Sequence, residues 1–279
     1  MTVLEVLQST TGYFKQRGIE SPRLNAEHLL AHMLKRKRIE LYLEFERPLV
    51  ETELAPLREL VRRRGQGEPL QHLLGTVEFA GRVFVCDKRA LVPRPETEEF
   101  VELLLQSQIP NPQSRILDVG TGSGVIALSL AAVLPEADVH AIDLSEEALS
   151  LARENAARLG LTERVRFIRS DLFEQVAERF DLIVANLPYV PETDRATSSR
   201  EVLRDPRGAL FGGEVGDEII RKLIEAAPAH LQPGGLLALE IGINQAEGLS
   251  AFLVERGYHD ISARQDFAGV TRFLLAKHG

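Results

Sequence analysis

From Arg115 onward, apolar strand-like segments alternate with amphipathic helix-like segments, a pattern that few folds accommodate. Seven strand segments are present, of which RILDVG, DVHAID and FDLIVAN are examples, and VIALSLAAVL is typical of the helical segments between them. Apolar strands that alternate with helices indicate an α/β fold with a doubly wound, mostly parallel seven-stranded sheet. No helical segment separates the last two strands, ISARQ and TRFLLAK, so we expect an antiparallel edge.

Residues 1–75 have a different pattern, which is helical throughout. Thr2 and Glu5 have the spacing of a capping box in front of an apolar helical series. A later leucine stripe stops at Gly65, and glycine is a residue type that commonly ends helices. We therefore expect a small bundle of helices in this part of the chain.

The segment EFAGRVFVCD (78–87) has two short β-type runs on either side of an Ala-Gly pair, which predicts a hairpin. It separates the helical part from the alternating part. The sequence thus predicts a helical domain at 1–75, a linker with a β-hairpin at 76–92, and an α/β domain at 93–279.

The formal net charge of −8 is distributed unevenly along the 279 residues. Residues 1–75 carry 12 Lys and Arg against 10 Asp and Glu, whereas the rest of the chain carries 21 against 31. Two basic runs, Lys35–Arg38 and Arg62–Arg64, fit either solvated helix ends or a docking surface for an acidic protein or RNA. The excess of negative charge in residues 76–279 disfavours stable binding of nucleic acid.

No apolar run of about 18 residues occurs, and the N-terminus lacks a basic segment followed by an apolar one. No membrane association is therefore expected, and the predicted location is cytoplasmic. Cys86 is the only cysteine, which excludes internal disulfides and cysteine-based zinc sites. His28 and His32 have a spacing that occurs in metal sites, but no third ligand is evident, so no metal is expected.

A glycine-rich loop follows the first strand of the alternating region and opens a helix. Small residues there let the backbone approach a ligand and direct amide N–H groups toward it. The spacing is G-x-G-x-G, which differs from the G-x-G-x-x-G of dinucleotide-binding folds, and the Gly-Lys-Ser/Thr of a P-loop is missing. The predicted cofactor-binding residues of this segment are Asp118, Gly120, Thr121, Gly122, Ser123 and Gly124.

Carboxylates end the first three strands of the alternating region, at Asp118, Asp143 and Asp171. Ligands of open α/β sheets bind at the carboxyl ends of the strands. Carboxylates are poor partners for phosphate but suit a ligand that is cationic or rich in hydroxyl groups. Asp143 can accept two ribose hydroxyls, Asp171 can accept an exocyclic amine of adenine, and Asp118 can support the loop near a positive amino-acid end. This combination predicts S-adenosylmethionine (SAM) as the cofactor.

The fourth strand ends in Asn186-Leu187-Pro188-Tyr189, although asparagine and proline are poor strand residues. A planar nitrogen has a delocalised lone pair, and accepting both of its N–H bonds would direct that lone pair toward a sulfonium methyl group. The Asn186 side-chain oxygen and the Leu187 carbonyl can be the two acceptors, because Pro188 restricts Leu187 to an extended conformation. Tyr189 can stack on the planar acceptor. These four residues are the predicted catalytic and substrate-binding residues.

Several segments together resemble the HemK/PrmC family, which methylates the side-chain amide of a glutamine in peptide chain release factors. NLPY is similar to the (N/D/S)-P-P-(Y/F) signature of methyltransferases that act on planar nitrogen. VPRPETE is the most discriminating segment, because generic SAM-dependent enzymes do not share it at this place. The resemblance covers essentially the whole chain through EPLQHLLG, VEFAGRVFVCDKRALVPRPETEEFVE, ILDVGTGSGVIALSLA, SDLFE, NLPYV and PGGLLALEIGINQ.

The resemblance implies a class I SAM-dependent methyltransferase fold. It also implies that the substrate is the glutamine of the Gly-Gly-Gln motif in class I release factors, docked by the helical domain. Leu172 and Asn186 would join the glycine loop in contacting SAM, while Pro95 and Phe100 would lie over the methionine end of the cofactor.

Two positions depart from the family pattern. Leu187 replaces the first proline of Asn-Pro-Pro-Tyr, which keeps the backbone carbonyl but lessens the rigidity of the segment. RDPRGALFGG (204–213) has Asp205 where the family often has glutamate, and the sequence gives no role to loop 191–217.

Two other functions stay open on the sequence alone. An N6-adenine methyltransferase acting on DNA or RNA uses the same acceptor geometry, but it should carry a basic target-recognition region. A non-catalytic SAM-binding partner of the translation machinery would not need Asn186.

Overall fold

The computed structural model describes residues 1–107 and 113–279, which form two compact units. One unit is Met1–Thr76 with Ser199–Arg204, and the other is Val77–Ser198 with Asp205–Gly279. The helices are α1 Val3–Gln16, α2 Pro22–Leu34, α3 Arg38–Leu41, α4 Glu51–Gly65, α5 Leu70–Leu74, α6 Pro95–Gln106, α7 Val125–Val133, α8 Glu146–Leu159, α9 Glu218–Ala226 and α10 Ala246–Glu255. The strands are β1 Thr76–Phe79, β2 Arg82–Val85, β3 Arg115–Val119, β4 Asp138–Asp143, β5 Val165–Arg169, β6 Phe180–Asn186, β7 Val190–Pro191, β8 Phe211–Gly213, β9 Leu231–Glu240, β10 Tyr258–Gln265 and β11 Thr271–His278. Within the described ranges, no helix is both long enough and apolar enough to cross a membrane.

The first unit is helical, as its apolar periodicity predicts, and its core includes side chains of all five helices, α1 to α5. The Thr2 hydroxyl accepts the Glu5 N–H, and the Glu5 carboxylate accepts the Thr2 N–H, so the predicted capping box is confirmed. α4 continues through Gly65, and the glycine with left-handed backbone is Gly67 (φ 86°). The helix therefore stops at Gly65, as the sequence predicts, but the left-handed glycine that follows a helix end is Gly67, not Gly65.

The basic run Arg62–Arg64 forms the last turn of α4, where cations suit the negative end of the helix dipole. Each of these arginines pairs with a carboxylate, and the acceptors in chain order are Glu59, Glu68 and Glu201. Arg64 is 3% exposed and pairs outside α4, whereas Arg62 is exposed and pairs with a glutamate of α4 itself. In the other run, Lys35 and Lys37 are exposed.

Seven strands of the described residues form the sheet of the second unit, in the order β10-β11-β9-β6-β3-β4-β5. The five strands from β9 to β5 pair in parallel. β11 pairs antiparallel with both β9 and β10. The predicted α/β fold and its antiparallel edge are confirmed, with the last strand inserted between β9 and β10.

Both faces of the sheet are covered by helices. Leu182 and Val184 of β6 face a core that includes residues of α6 and α7, while Ile183 and Ala185 face a core that includes residues of α9 and α10. Because both faces are buried, β6 is continuously apolar from Leu182 to Ala185. The packing aligns the carboxyl ends of the parallel strands along one edge of the sheet.

β1 and β2 pair with each other and form the predicted hairpin. Asn155 of α8, which is completely buried, accepts the Val85 N–H at 2.7 Å and donates to the Ser123 carbonyl at 2.9 Å. The hairpin and the glycine-rich loop are therefore attached to the same helix.

Candidate active site

The glycine-rich loop connects β3 to α7, and its backbone is held by the end of β4. The N–H groups of Gly120 and Thr121 both donate to the Ile142 carbonyl at 2.9 Å. The N–H of Gly122 donates to Oδ2 of Asp143 at 2.9 Å. The structure thus brings together the loop and the second strand-end carboxylate, as the sequence predicts for ligands at the carboxyl ends of strands.

Gly120 lies at a close approach between this loop and the end of β6. Its φ of 73° is in the left-handed region, and a Cβ atom there would lie 2.7 Å from Cδ2 of Leu187. Leu187 is 6% exposed and packs in the core that faces α9 and α10. Residues 186–189 are called the acceptor segment below. Leu187, which departs from the family pattern, therefore joins the glycine loop to the acceptor segment through its side chain. Its carbonyl group stays the part of the residue that is predicted to bind the substrate.

Asp143, the last residue of β4, accepts the Ser145 N–H on Oδ1 at 2.8 Å in addition to the Gly122 N–H on Oδ2. Burial raises the pKa of the Asp143 carboxyl, and the backbone N–H groups of Ser145 and Gly122 act in the opposite direction. A carboxylate has about four acceptor positions, so these two bonds leave capacity for ribose hydroxyls.

Asp118 lies within β3 and is 1% exposed. Its Oδ2 accepts the Thr121 hydroxyl at 2.7 Å and the Ala127 N–H at 3.1 Å. Its buried Oδ1 has no hydrogen-bond partner among the residues that the structure describes. Burial, together with a smaller effect of nearby Asp143, raises the pKa of Asp118 to about 7 against the opposing effect of the two hydrogen bonds. A buried carboxyl with an unsatisfied oxygen beside this loop suits a ligand that brings a positive charge.

The raised pKa of Asp118 predicts a pH-dependent stability. The folded chain holds this proton more strongly than the unfolded chain, so the free energy of unfolding should fall as pH rises from about 4 to about 7. The asparagine of Asp118→Asn cannot titrate. As pH rises from about 4 to about 7, the free energy of unfolding of this variant should therefore increase relative to that of the wild type by up to about 4 kcal/mol. Urea unfolding without cofactor at a series of pH values measures the difference. Equal pH slopes for the two proteins would contradict the raised pKa.

Four further residues predicted to contact the cofactor have different surroundings. Asp171 is exposed in the turn after β5, and Leu172 (φ 46°) packs against the same core as Leu187. Pro95 is the exposed first residue of α6. Phe100 is completely buried, and its ring stacks on Phe273 with centroids 5.1 Å apart. The Phe100 ring therefore has no surface open to a ligand, and the predicted contact would require this stack to open. The cofactor contacts of Asp171, Leu172 and Pro95 stay predictions.

Asn186 ends β6 and belongs to a chain of buried hydrogen bonds. Its Nδ2 donates to the Thr97 hydroxyl at 3.0 Å, and that hydroxyl donates to Oε2 of Glu240 at 2.8 Å. The Tyr189 hydroxyl donates to Oε1 of Glu240 at 3.4 Å. Glu240 is not among the residues predicted from the sequence. It ends β9, so the strand-end rule that found the aspartates and Asn186 could have found it too.

The backbone that follows Asn186 is fixed by neighbouring segments. Nε2 of Gln245 donates to the Tyr189 carbonyl at 3.1 Å. A Cβ atom at Gly212 would lie 2.2 Å from the Pro188 carbonyl oxygen, so β8 passes directly against the segment. β7 pairs in parallel with β8. Gln245 and Gly212 were missed by sequence reasoning, because their contacts depend on the packing of distant segments.

Asp205 gives loop 191–217 a structural role. It is 5% exposed, its Oδ2 pairs with the Arg94 guanidinium at 2.5 Å, and its Oδ1 accepts the Val92 N–H at 3.3 Å. Arg94 directly precedes α6, which carries Thr97. The loop thus supports the VPRPETE segment through a buried carboxylate.

Residues 5–75 match the PrmC N-terminal domain, and residues 97–213 match the methyltransferase small domain. Over 280 residues, the chain is 42% identical to a release factor glutamine methyltransferase of Geobacter sulfurreducens, with 100% of this chain and 97% of the relative covered. The chain belongs to the release factor glutamine methyltransferase family. A relative of the same name from Deinococcus radiodurans is 42% identical over 277 residues, with 99% of each chain covered. The predicted HemK/PrmC resemblance is confirmed.

The fold of this release factor glutamine methyltransferase family member also resembles that of other methyltransferases. The 16S rRNA methyltransferase RsmC of T. thermophilus, solved in complex with AdoMet and guanosine, gives a TM-score of 0.52 at 19% identity. The match covers 73% of this chain and 50% of that one. At such low identity the likeness shows the fold alone, and that fold is the predicted SAM-dependent methyltransferase fold.

Proposed function

We propose that this chain transfers the methyl group of SAM to the side-chain amide nitrogen (N5) of the glutamine in the Gly-Gly-Gln motif of class I peptide chain release factors. The orientation of Asn186 carries the proposal. Its Nδ2 is bound to the Thr97 hydroxyl, which leaves Oδ1 to accept an N–H from a planar nitrogen. Relatives named release factor glutamine methyltransferases at about 42% identity over the full length support the choice of substrate.

The chemistry of the glycine loop and the neighbouring strand ends fits SAM. The unsatisfied Asp118 oxygen suits a cationic ligand, and Asp143 retains acceptor capacity for ribose hydroxyls. Asp171 would accept the adenine amine, and residues 120–124 would lie along the amino-acid end. When bound, SAM supplies an electrophilic methyl group on a positively charged sulfur.

The acceptor segment would bind and orient the glutamine amide. Oδ1 of Asn186 and the Leu187 carbonyl accept its two N–H bonds, and Tyr189 covers its planar face. With both N–H groups held, the nitrogen lone pair points out of the amide plane. The nitrogen gains a carbon and must lose one proton, and an N-protonated amide is acidic enough to give that proton to water. Catalysis thus depends on positioning and electrostatics without a strong base.

Docking of the release factor is assigned to the helical part of the chain. We place the docking domain at 1–75, the hairpin linker at 76–92 and the catalytic domain at 93–279. The match of residues 5–75 to the PrmC N-terminal domain supports this division. The exposed Lys35 and Lys37 are candidate contacts for an acidic surface of the partner. A substrate that works in translation places the reaction in the cytoplasm.

The proposal can be tested with SAM that carries a labelled methyl group. The protein is incubated with labelled SAM and, in three parallel reactions, with a purified release factor, with DNA or with RNA, and the label transferred to each is measured. We expect label in the release factor alone. Label in DNA or RNA would instead support an N6-adenine methyltransferase. SAM binding without transfer to any of the three would support a non-catalytic partner of the translation machinery.

A further inference from the structure

Asn186 and Glu240 end two neighbouring parallel strands and face each other as register partners of β6 and β9. Thr97, in the first turn of α6, lies between their side chains and hydrogen-bonds to both. Glu240 is 2% exposed and Thr97 is 3% exposed. The three residues are far apart in sequence and are brought together only by the fold.

The direction of each hydrogen bond in this trio is determined by its chemistry. An ionised carboxylate only accepts, so the single hydroxyl proton of Thr97 is committed to Glu240. The Thr97 oxygen can then only accept from its other neighbour. Asn186 must therefore turn its NH₂ group toward Thr97, and its Oδ1 is turned away.

The same carboxylate also holds the other end of the acceptor segment, because its Oε1 accepts the Tyr189 hydroxyl. Burial, with a smaller effect of Glu96, raises the pKa of Glu240 to about 7 against the opposing effects of the Thr97 bond, Arg272 and Tyr189. A buried carboxylate carries a desolvation cost that an apolar residue of similar size would not have. Packing alone therefore does not account for a glutamate at this position.

We propose that Glu240 and Thr97 are positioning residues that fix the amide orientation of Asn186, so that Oδ1 faces the glutamine nitrogen. This inference rests on the proposed function. A glutamine at 240 could donate as well as accept, so the Thr97 hydroxyl would be free to donate to Oδ1 of Asn186. The Asn186 amide could then present its NH₂ group to the substrate, and an NH₂ group cannot accept the substrate N–H.

Steady-state kinetics of Thr97→Val, Thr97→Ser and Glu240→Gln, at a pH well above 7 where Glu240 is ionised, test this assignment. Thr97→Val and Glu240→Gln should lower kcat at least about tenfold, which corresponds to an activation free energy about 1.4 kcal/mol higher. The KM values for SAM and for the release factor should stay within about threefold of the wild-type values. Thr97→Ser keeps the hydroxyl and should stay within about threefold of the wild-type kcat. Glu102→Gln, the same chemical change on the exposed side of α6, is the matched control and should be neutral. Wild-type kcat in Thr97→Val, or equal losses in Thr97→Ser and Thr97→Val, would overturn the assignment.

A measurement that needs no turnover separates this inference from the proposed function. When the asparagine side chains are labelled with ¹⁵N, each side-chain amide gives an NMR signal. The signal of Asn186 is the one that disappears in Asn186→Ala. We expect that signal to move in Thr97→Val and Glu240→Gln and to stay in place in Thr97→Ser and Glu102→Gln. An Asn186 signal that is unchanged in Thr97→Val would overturn the inference even if the release factor is methylated. Failure of the wild type to methylate a release factor would refute the proposed function and leave the NMR result to decide the orientation.

Discussion

Asn186→Ala is expected to lower kcat for release factor methylation roughly 100- to 1,000-fold, the usual effect of losing a group that stabilises the reacting atoms. The variant loses the side-chain oxygen that would accept one of the two glutamine N–H bonds. Affinity for SAM should stay within roughly tenfold, or about 1.4 kcal/mol, because the loop and the aspartates that would hold the cofactor are untouched. Single-turnover rates and calorimetric titration with SAM measure the two quantities separately.

Asn244→Gly is the matched control for this variant. Asn244 is exposed in the loop after β9 and has left-handed backbone (φ 67°), which glycine adopts without strain. We expect wild-type kcat for the control. Wild-type turnover in Asn186→Ala would rule out the role given to its side chain, and a loss of SAM binding equal to the loss of rate would assign Asn186 to the cofactor alone.

Asp143→Ala should weaken SAM binding about 100-fold, or about 2.7 kcal/mol. The substitution removes acceptors for the ribose hydroxyls. It also releases the N–H groups of Gly122 and Ser145, so the glycine loop loses its attachment to the end of β4. Calorimetric titration with SAM gives the dissociation constant directly.

Asp138→Ala is the control on the same strand, because Asp138 begins β4 at the opposite edge of the sheet and its side chain is 52% exposed. Its affinity for SAM should match that of the wild type. Equal affinities in Asp143→Ala and the wild type would show that the carboxylate does not hold the cofactor, and the site assignment at this strand end would be wrong.

Local patterns in the sequence were sufficient to predict the fold of the second unit. The central strands β3 and β6 are mostly apolar because helices cover both faces of the sheet, and that burial leaves a continuous apolar run in the sequence. The insertion of β11 between β9 and β10 could not be deduced, because strand order depends on long-range pairing. Gly65 shows a similar limit at short range, since it is the last residue of α4 and the glycine with left-handed backbone is Gly67.

The site was predictable where a strand end and a motif coincide. Asp118, the glycine loop, Asp143 and Asn186 follow that rule, and the structure places the first three in one hydrogen-bonded group. Thr97 and Glu240 are 143 positions apart and become neighbours only when α6 packs on the sheet. Phe100 shows the reverse case. Family resemblance predicts it at the cofactor, while in the structure its ring is fully buried and stacks on Phe273.

Leu187 illustrates how a departure from a motif can be accommodated. The family proline would restrict the backbone, whereas the leucine side chain fills the space above Gly120, where no Cβ is present. The contact joins the glycine loop to the acceptor segment through buried apolar surface. The carbonyl that the proposed mechanism uses belongs to the backbone and is common to both residues.

Mass spectrometry of a release factor incubated with this enzyme and SAM decides whether the glutamine amide is the acceptor. We predict a single added methyl group on the side-chain nitrogen of the Gly-Gly-Gln glutamine, and none when that glutamine is replaced by alanine or when Asn186→Ala is used. A methyl group on any other residue, or an unmodified release factor in the presence of bound SAM, would contradict the proposed function.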